Sequence, residues 1–325
     1  MRGSSKDFLR LFMKSYPSYF SLAENGELKH RVEKAYELLK SCRLCPRKCG
    51  KNRTKGEKGF CKTGLQAVVS SHGPHFGEER PLSGRHGSGT IFFTYCNLGC
   101  VFCQNYEISH LGMGEMVTPE KLARIMLELE EIGCHNLNLV TPTHVVPQII
   151  EALSLAVAEG FSLPLVYNCG GYESMETLKL LDGIVDIYMP DFKFWDEKTS
   201  ERLASAPDYP QVAREAIREM YRQVGDLTTN GAEIAKRGIL VRHLVLPSGL
   251  AGTGRVAGFL SREISSNTYV NVMDQYRPCY RADRYPEISR PLREREFADA
   301  VELAVNAGLC RLDQVEFPRY RMVHL

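Results

Sequence analysis

Thr90-Ile91-Phe92-Phe93-Thr94-Tyr95-Cys96-Asn97-Leu98-Gly99-Cys100-Val101-Phe102-Cys103-Gln104-Asn105 is the stretch that decides the fold. Its first half is β-branched and aromatic, which reads as a strand. Its second half releases three cysteines, spaced by three and two residues, into a loop. Thiolates are soft ligands, and so compact a spacing lets one loop wrap one inorganic centre. Three uses remain open on spacing alone. One is an iron–sulfur cube with one iron left free for a small molecule. Another is zinc completed by a distant His or Cys. The third is a set of buried or redox thiols.

Downstream of this strand the pattern repeats as short apolar strands and longer helices. Strands are predicted at Thr90 to Thr94, Asn136 to Val140, Leu163 to Tyr167, Ile184 to Tyr188, Gly238 to Leu246 and Thr268 to Val272. Helices are predicted at Pro119 to Ile132, Val145 to Ala158, Met175 to Leu181, Tyr209 to Gly225, Arg255 to Ile264 and Arg293 to Asn306. Thr118 followed by Pro119 reads as an N-cap and first helical residue. This alternation argues for an α/β fold of parallel βα units whose strands are covered by helices. Six strands give a barrel-like sheet short of eight units; a doubly wound sheet competes, without a glycine-rich dinucleotide loop to support it. Candidate site residues gather just after predicted strands: Cys96, Thr141, Asn168 and Asp191.

Upstream, the sequence predicts a polar start, a helix at Leu28 to Leu39 and a short strand at Leu65 to Ser70. His72 to Ser88 is rich in Gly, Pro and His and reads as a connection. Between the helix and the strand lie Cys42, Cys45, Cys49 and Cys61, in a segment too glycine-rich and charged to make much apolar core. A metal would give it a folding centre, either Zn2+ or an auxiliary iron–sulfur cluster. Arg43 to Lys62 carries eight Arg or Lys against one acid, Glu57. That basic stretch is a solvated face or a docking surface for an electron donor or acidic protein.

Whole-chain properties narrow the class. The net charge is +2 over 325 residues, which gives no strong nucleic-acid signal, and no apolar run approaches the length of a membrane span. Eleven cysteines, seven of them in two compact groups, suit a cytoplasmic metalloprotein better than a disulfide-stapled secreted one. Three regions are expected: an N-terminal helix and Cys-rich metal-binding extension (1–85), a barrel (86–310) and a C-terminal tail (311–325).

With Phe102 in the aromatic place before its last cysteine, the central motif resembles the radical S-adenosylmethionine superfamily. The wider string Pro81-Leu82-Ser83-Gly84, Gly87-Ser88-Gly89-Thr90-Ile91-Phe92-Phe93 and Cys96 to Asn105 is similar to the branch related to pyruvate formate-lyase activating enzymes. The resemblance implies a partial (β/α)6 TIM-like barrel with a 4Fe–4S cluster on Cys96, Cys100 and Cys103. It also implies S-adenosylmethionine chelating the open iron, and a 5′-deoxyadenosyl radical that abstracts hydrogen from a small-molecule, peptide or protein substrate. Activation of a glycyl-radical enzyme is one such use, and the electron donor implied is a flavodoxin or ferredoxin. The different-class alternative is a non-catalytic iron–sulfur or zinc-stabilised electron-transfer or scaffold protein.

The same resemblance assigns pocket roles. Thr141 and Thr143 stand where the activating enzymes carry a Gly-Gly-Glu element that helps bind the amino group of S-adenosylmethionine. Met189-Pro190-Asp191-Phe192-Lys193 is similar to their Asp-any-Lys element, and Arg242 to an arginine followed by apolar residues and proline. Asp191, Lys193 and Arg242 are therefore expected both to bind cofactor and to take part in catalysis. Asn168 is expected at the third strand's exit. Asp274 and Gln275 offer polar groups where the activating enzymes often place a histidine. Thr143 has a simpler reading as the N-cap of the next helix, and His243 should face away from Arg242.

Overall fold

Parallel pairing follows chain order through the centre of the molecule. The computed structural model describes residues 16–313; the expected polar start and most of the tail lie outside the described residues. Ten strands are present among them: β1 (Ala67–His75), β2 (Ser88–Phe93), β3 (Glu115–Val117), β4 (Leu137–Val140), β5 (Leu165–Cys169), β6 (Ile187–Pro190), β7 (Thr228–Thr229), β8 (Ala235–Leu244), β9 (Tyr269–Met273) and β10 (Arg311–Leu312). Their order is β10-β9-β8-β6-β5-β4-β2-β1-β3, with β7 hairpinned on β8. From β2 to β9 the six central strands are parallel and unreversed. A doubly wound sheet would turn back at a switch point, so this is a singly wound sheet consistent with a partial barrel. Among the described residues no pairing joins β3 to β10, and the sheet stays open.

The strands form because they are buried on both faces: every residue of β5 and β6 is buried. The outer layer is helical. Helix Val146–Ala158 buries Ile149, Ile150, Leu153 and Ala156, a stripe at helical spacing, against helices Pro119–Glu131 and Glu27–Lys40. Leu153 is fully buried; truncating such a residue to Ala costs about 2–5 kcal/mol. Helix Pro119–Glu131 starts as predicted, Thr118 Oγ1 accepting from Lys121 N at 3.3 Å. Ser18 and Tyr19 anchor the N-terminal segment to the sheet. Ser18 N donates to Asp186 Oδ1 at 2.9 Å, and Tyr19 Oη to Leu163 O at 2.8 Å.

The connection expected at His72 to Ser88 is partly structured. β1 runs on to His75 and pairs antiparallel with β2 from Ser71↔Phe92 to His75↔Ser88, and Arg80–Ser83 forms a helical turn. Beyond Val69 the strand is exposed or half-buried, so its Ser, His, Gly and Pro composition hides it from a reading based on apolar pattern.

The register decides which side chains share the inner face. Val140 opposes Asn168, Asn168 opposes Met189, and Asp191 bridges to Arg242, which opposes Asn271. With the two-residue period, Asn138, Asn168, Asp191, Arg242 and Asn271 all project to one side.

Candidate active site

The cysteine loop leaves β2 at the edge where all the central strands end. Tyr95, immediately before Cys96, has φ +73°, a left-handed conformation uncommon for an aromatic residue, and its N–H is held by Ile108 O at 3.1 Å. Gly99 N and Val101 N donate to Ala204 O and Leu203 O, both at 2.9 Å, clamping the loop to the helix Glu197–Ala204. Phe102 is buried edge-on against Phe194 and Tyr276 at centroid distances of 6.0 and 5.9 Å. Tyr276 therefore packs, and its hydroxyl donates to Ile288 O.

Burial pushes the Cys96 and Cys100 thiols well up, Cys100 to about 12, and the thiols of the loop raise one another. Leu98 N–H donates to Cys96 Sγ at 3.3 Å, and the Lys193 ammonium favours the thiolate form of both Cys96 and Cys100. Among the described residues no three His, Cys, Asp or Glu side chains are arranged to hold a single metal ion. A structural zinc takes four protein ligands, and this loop supplies three. A 4Fe–4S cube takes one cysteine per iron and spreads its ligands wider. Three soft thiols on one loop, with a nearby amide donor and an ammonium, fit that group.

Beside the thiols lies a charge network built from three strand exits. Asp191 Oδ2 accepts from Lys193 Nζ at 2.5 Å and Asp191 Oδ1 from Arg242 Nε at 2.8 Å, while Arg242 also donates to Asn168 Oδ1 at 2.7 Å. Burial works against the Asp191 carboxylate, yet Arg242 and Lys193 outweigh it and hold its pKa below the ordinary range. Lys193 is likewise kept charged, by Asp191, against its own burial. Gly171 makes this approach possible: at φ +75° a Cβ there would fall 2.2 Å from Asp191 O. Tyr209 Oη accepts from Lys193 N at 2.8 Å and lies 3.0 Å from Gly170 O.

The residues expected after β4 and β9 behave differently. Thr141 is half-buried at φ +59°, a strained position for a β-branched residue, and its N–H donates to Asn168 O at 2.8 Å. Thr143 does not cap helix Val146–Ala158; the cap position is Val145 without a side-chain bond, and Thr143 Oγ1 donates to Glu173 Oε1 at 2.6 Å. An intervening 3₁₀ turn, Thr143–Val145, moves the hydroxyl out of capping position. Asp274 and Gln275 are exposed; Gln275 joins the cysteine loop only through its carbonyl, which accepts from Gln104 Nε2 at 2.9 Å. His243 faces away from Arg242, its ring between Phe192 O and Thr253 Oγ1, and burial lowers its pKa to about 4, so it is neutral.

Two carboxyls here carry no sequence signal. Glu173 is 2% exposed; burial drives its pKa up to about 7 despite hydrogen bonds from Thr143 and from Tyr167 Oη at 3.0 Å. Glu78, with its pKa raised by burial, lies 4.0 Å from Arg242. Glu173 follows Gly170-Gly171 at the β5 exit, which marks a tight approach without marking a buried acid.

Among known proteins, this chain is similar to an uncharacterized protein of Methanocaldococcus jannaschii, with 34% identity over 289 residues, 86% of this chain and 78% of that one. Solved structures similar to it include HydG, a maturase of the FeFe-hydrogenase, with 17% identity, TM-score 0.48, 67% of this chain and 49% of that chain. Another is methylornithine synthase, PylB, with 17% identity, TM-score 0.43, 73% of this chain and 76% of that chain. The chain spans about half the length of HydG. The family profile described as the Radical SAM superfamily matches residues 90–231, which contain the cysteine loop and the Asp191–Lys193 pair. By that match the chain belongs to the radical SAM superfamily.

Proposed function

We propose that this protein is an enzyme that binds a 4Fe–4S cluster through Cys96, Cys100 and Cys103 and S-adenosylmethionine beside it, in order to abstract hydrogen from a substrate. The observation that carries the reading is the juxtaposition of the thiol loop with the Asn168, Asp191, Lys193 and Arg242 network at one sheet edge. When bound, the pair of cofactors supplies one-electron reductive cleavage of the sulfonium and so a 5′-deoxyadenosyl radical.

The chain's own part is placement. Lys193 offsets negative charge gathered on the cysteine loop. Arg242 and Asn168 present donors for a carboxylate or ribose oxygen, and Asp191 fixes the orientation of both cations. Thr141, strained at the neighbouring exit, supplies polar backbone to the same edge. Phe102, Phe194 and Tyr276 pack edge-on against one another and hold the loop's aromatic residue in the core. Within the superfamily the Pro81 to Gly84 and Asp191-Phe192-Lys193 elements support kinship with the branch of pyruvate formate-lyase activating enzymes. The electron source on this reading is a cytoplasmic flavodoxin or ferredoxin.

The test is anaerobic reconstitution with iron and sulfide, reduction by dithionite, addition of S-adenosylmethionine and assay of 5′-deoxyadenosine. Wild type should form it and Cys100→Ala should not. No product from protein with an intact reduced cluster would sink the reading.

A further inference from the structure

A second group of thiols lies outside this site and outside the stretch matched by the family profile. Cys42, Cys45, Cys49 and Cys61 line one small cavity, and Cys42, Cys45 and Cys61 are 4%, 7% and 9% exposed. Cys42 joins a small apolar cluster with Leu38, Leu39 and Leu44, Cys49 packs at its edge, and the rest of the surrounding loop is charged. The loop's backbone closes on itself: Cys42 N donates to Lys51 O at 2.9 Å, Gly50 N to Cys42 O at 3.2 Å and Lys48 N to Cys45 O at 3.0 Å. Gly59 sits so close to one of these thiols that a Cβ would fall 2.4 Å from Cys49 Sγ.

An independent observation comes from the β4 exit. His144 lines the same cavity at 1% exposure; its Nε2 is 2.8 Å from Thr94 O, while its Nδ1 is buried with no partner. A carbonyl only accepts, so Nε2 carries the proton and Nδ1 presents a bare lone pair. A buried lone pair without a donor is costly, so this ring, like the four thiols beside it, is suited to face a bound group. Cations are also present. The Arg53 guanidinium is 1% exposed and 4.0 Å from Cys42 Sγ, and Arg47 stacks 3.8 Å from the centroid of Phe60 in the same wall.

We propose that Cys42, Cys45, Cys49 and Cys61 hold a second iron–sulfur cluster, packed under the loop that carries Cys96. Thiolates on such a core leave net negative charge, which Arg53 and Arg47 offset. The two centres share a wall: Asn97 lines the cavity, and Arg47 Nε donates to Asn97 O at 3.0 Å. His144 ties the cavity to Thr94, two residues before Cys96.

The experiment uses the full chain with Cys96, Cys100 and Cys103 all changed to Ala, reconstituted anaerobically with iron and sulfide. Iron, acid-labile sulfide and zinc are counted, and the dithionite-reduced protein is examined by electron paramagnetic resonance. Retention of about four iron and four sulfide per chain with a reduced-cluster signal is expected, and a further change of the four N-terminal cysteines to Ser should remove both. Iron-free protein overturns the inference, whether it holds one zinc or no metal. Should the triple variant fail to fold, wild type is compared with the variant carrying the four N-terminal cysteines as Ser: loss of about four iron and four sulfide supports the second cube, and an unchanged count overturns it. Absence of 5′-deoxyadenosine from a triple variant is expected in any case, so failure of the proposed activity and failure of this inference are read separately.

Discussion

Glu173 gives a pH dependence of opposite sign to that of an ion-paired carboxylate. Its folded pKa is raised from 4.5 to about 7, so between those values the folded state holds a proton that the unfolded chain has released. Stability then falls as pH rises from about 4.5 toward 7 and levels off above it. The displacement corresponds to about 3 kcal/mol at 1.36 kcal/mol per pH unit. With about 2.1 cal/mol/K of unfolding entropy per residue, a 325-residue chain shifts its Tm by about 1.5 °C per kcal/mol, so about 4–5 °C is at stake. Glu173→Gln preserves shape and an acceptor for Thr143 but cannot ionise. The assay is Tm of wild type and variant at matched metal content from pH 5 to 8. The variant's Tm minus that of wild type should climb by a few degrees across this range and flatten above pH 7. A difference independent of pH would refute the buried, protonated carboxyl.

Three further outcomes test the site and the folds of chain that build it. Asp191→Asn leaves Arg242 and Lys193 without their shared buried anion, which should cost about 3–5 kcal/mol and lower Tm by about 4–8 °C; calorimetry showing no loss would deny the pairing. Gly171→Ala drives a Cβ to 2.2 Å from Asp191 O and should yield little folded protein or a Tm depressed beyond that of Asp191→Asn, measured on the soluble fraction; a wild-type Tm would contradict the close approach. Thr141→Gly relieves the positive φ and should raise stability by about 1 kcal/mol in denaturant titrations, whereas a loss would show that the threonine side chain holds that turn in place.

What the sequence made legible follows from how a singly wound sheet delivers its residues. Helices Met175–Leu181 and Tyr209–Val224 are visible because apolar residues at helical spacing face the sheet. The six central strands are visible as short apolar runs because both faces are covered. β1 is not, since its outer half meets water and uses Ser, His, Gly and Pro. The same geometry accounts for the site. Each parallel strand ends at one edge, so the residue just after a predicted strand points to that edge without knowledge of its partners. Asn168, Asp191 and the cysteine loop are legible on that basis, and the pairing of Arg242 with Asp191 across 51 positions follows from adjacent parallel strands. Glu173 and Glu78 reach their partners by other routes, Glu173 from a glycine-rich turn and Glu78 from the segment after the antiparallel β1. Such residues have no fixed offset from a strand end, and an acid is otherwise expected in solvent. His144 differs again: it lies at the β4 exit without being singled out by its type or spacing, and its partners, Thr94 O on one nitrogen and the thiol-lined cavity on its other side, come from segments about 50 and 100 positions earlier. The coupling between the two cysteine groups is therefore a property of tertiary structure, and it makes the N-terminal extension part of the floor beneath the cysteine loop.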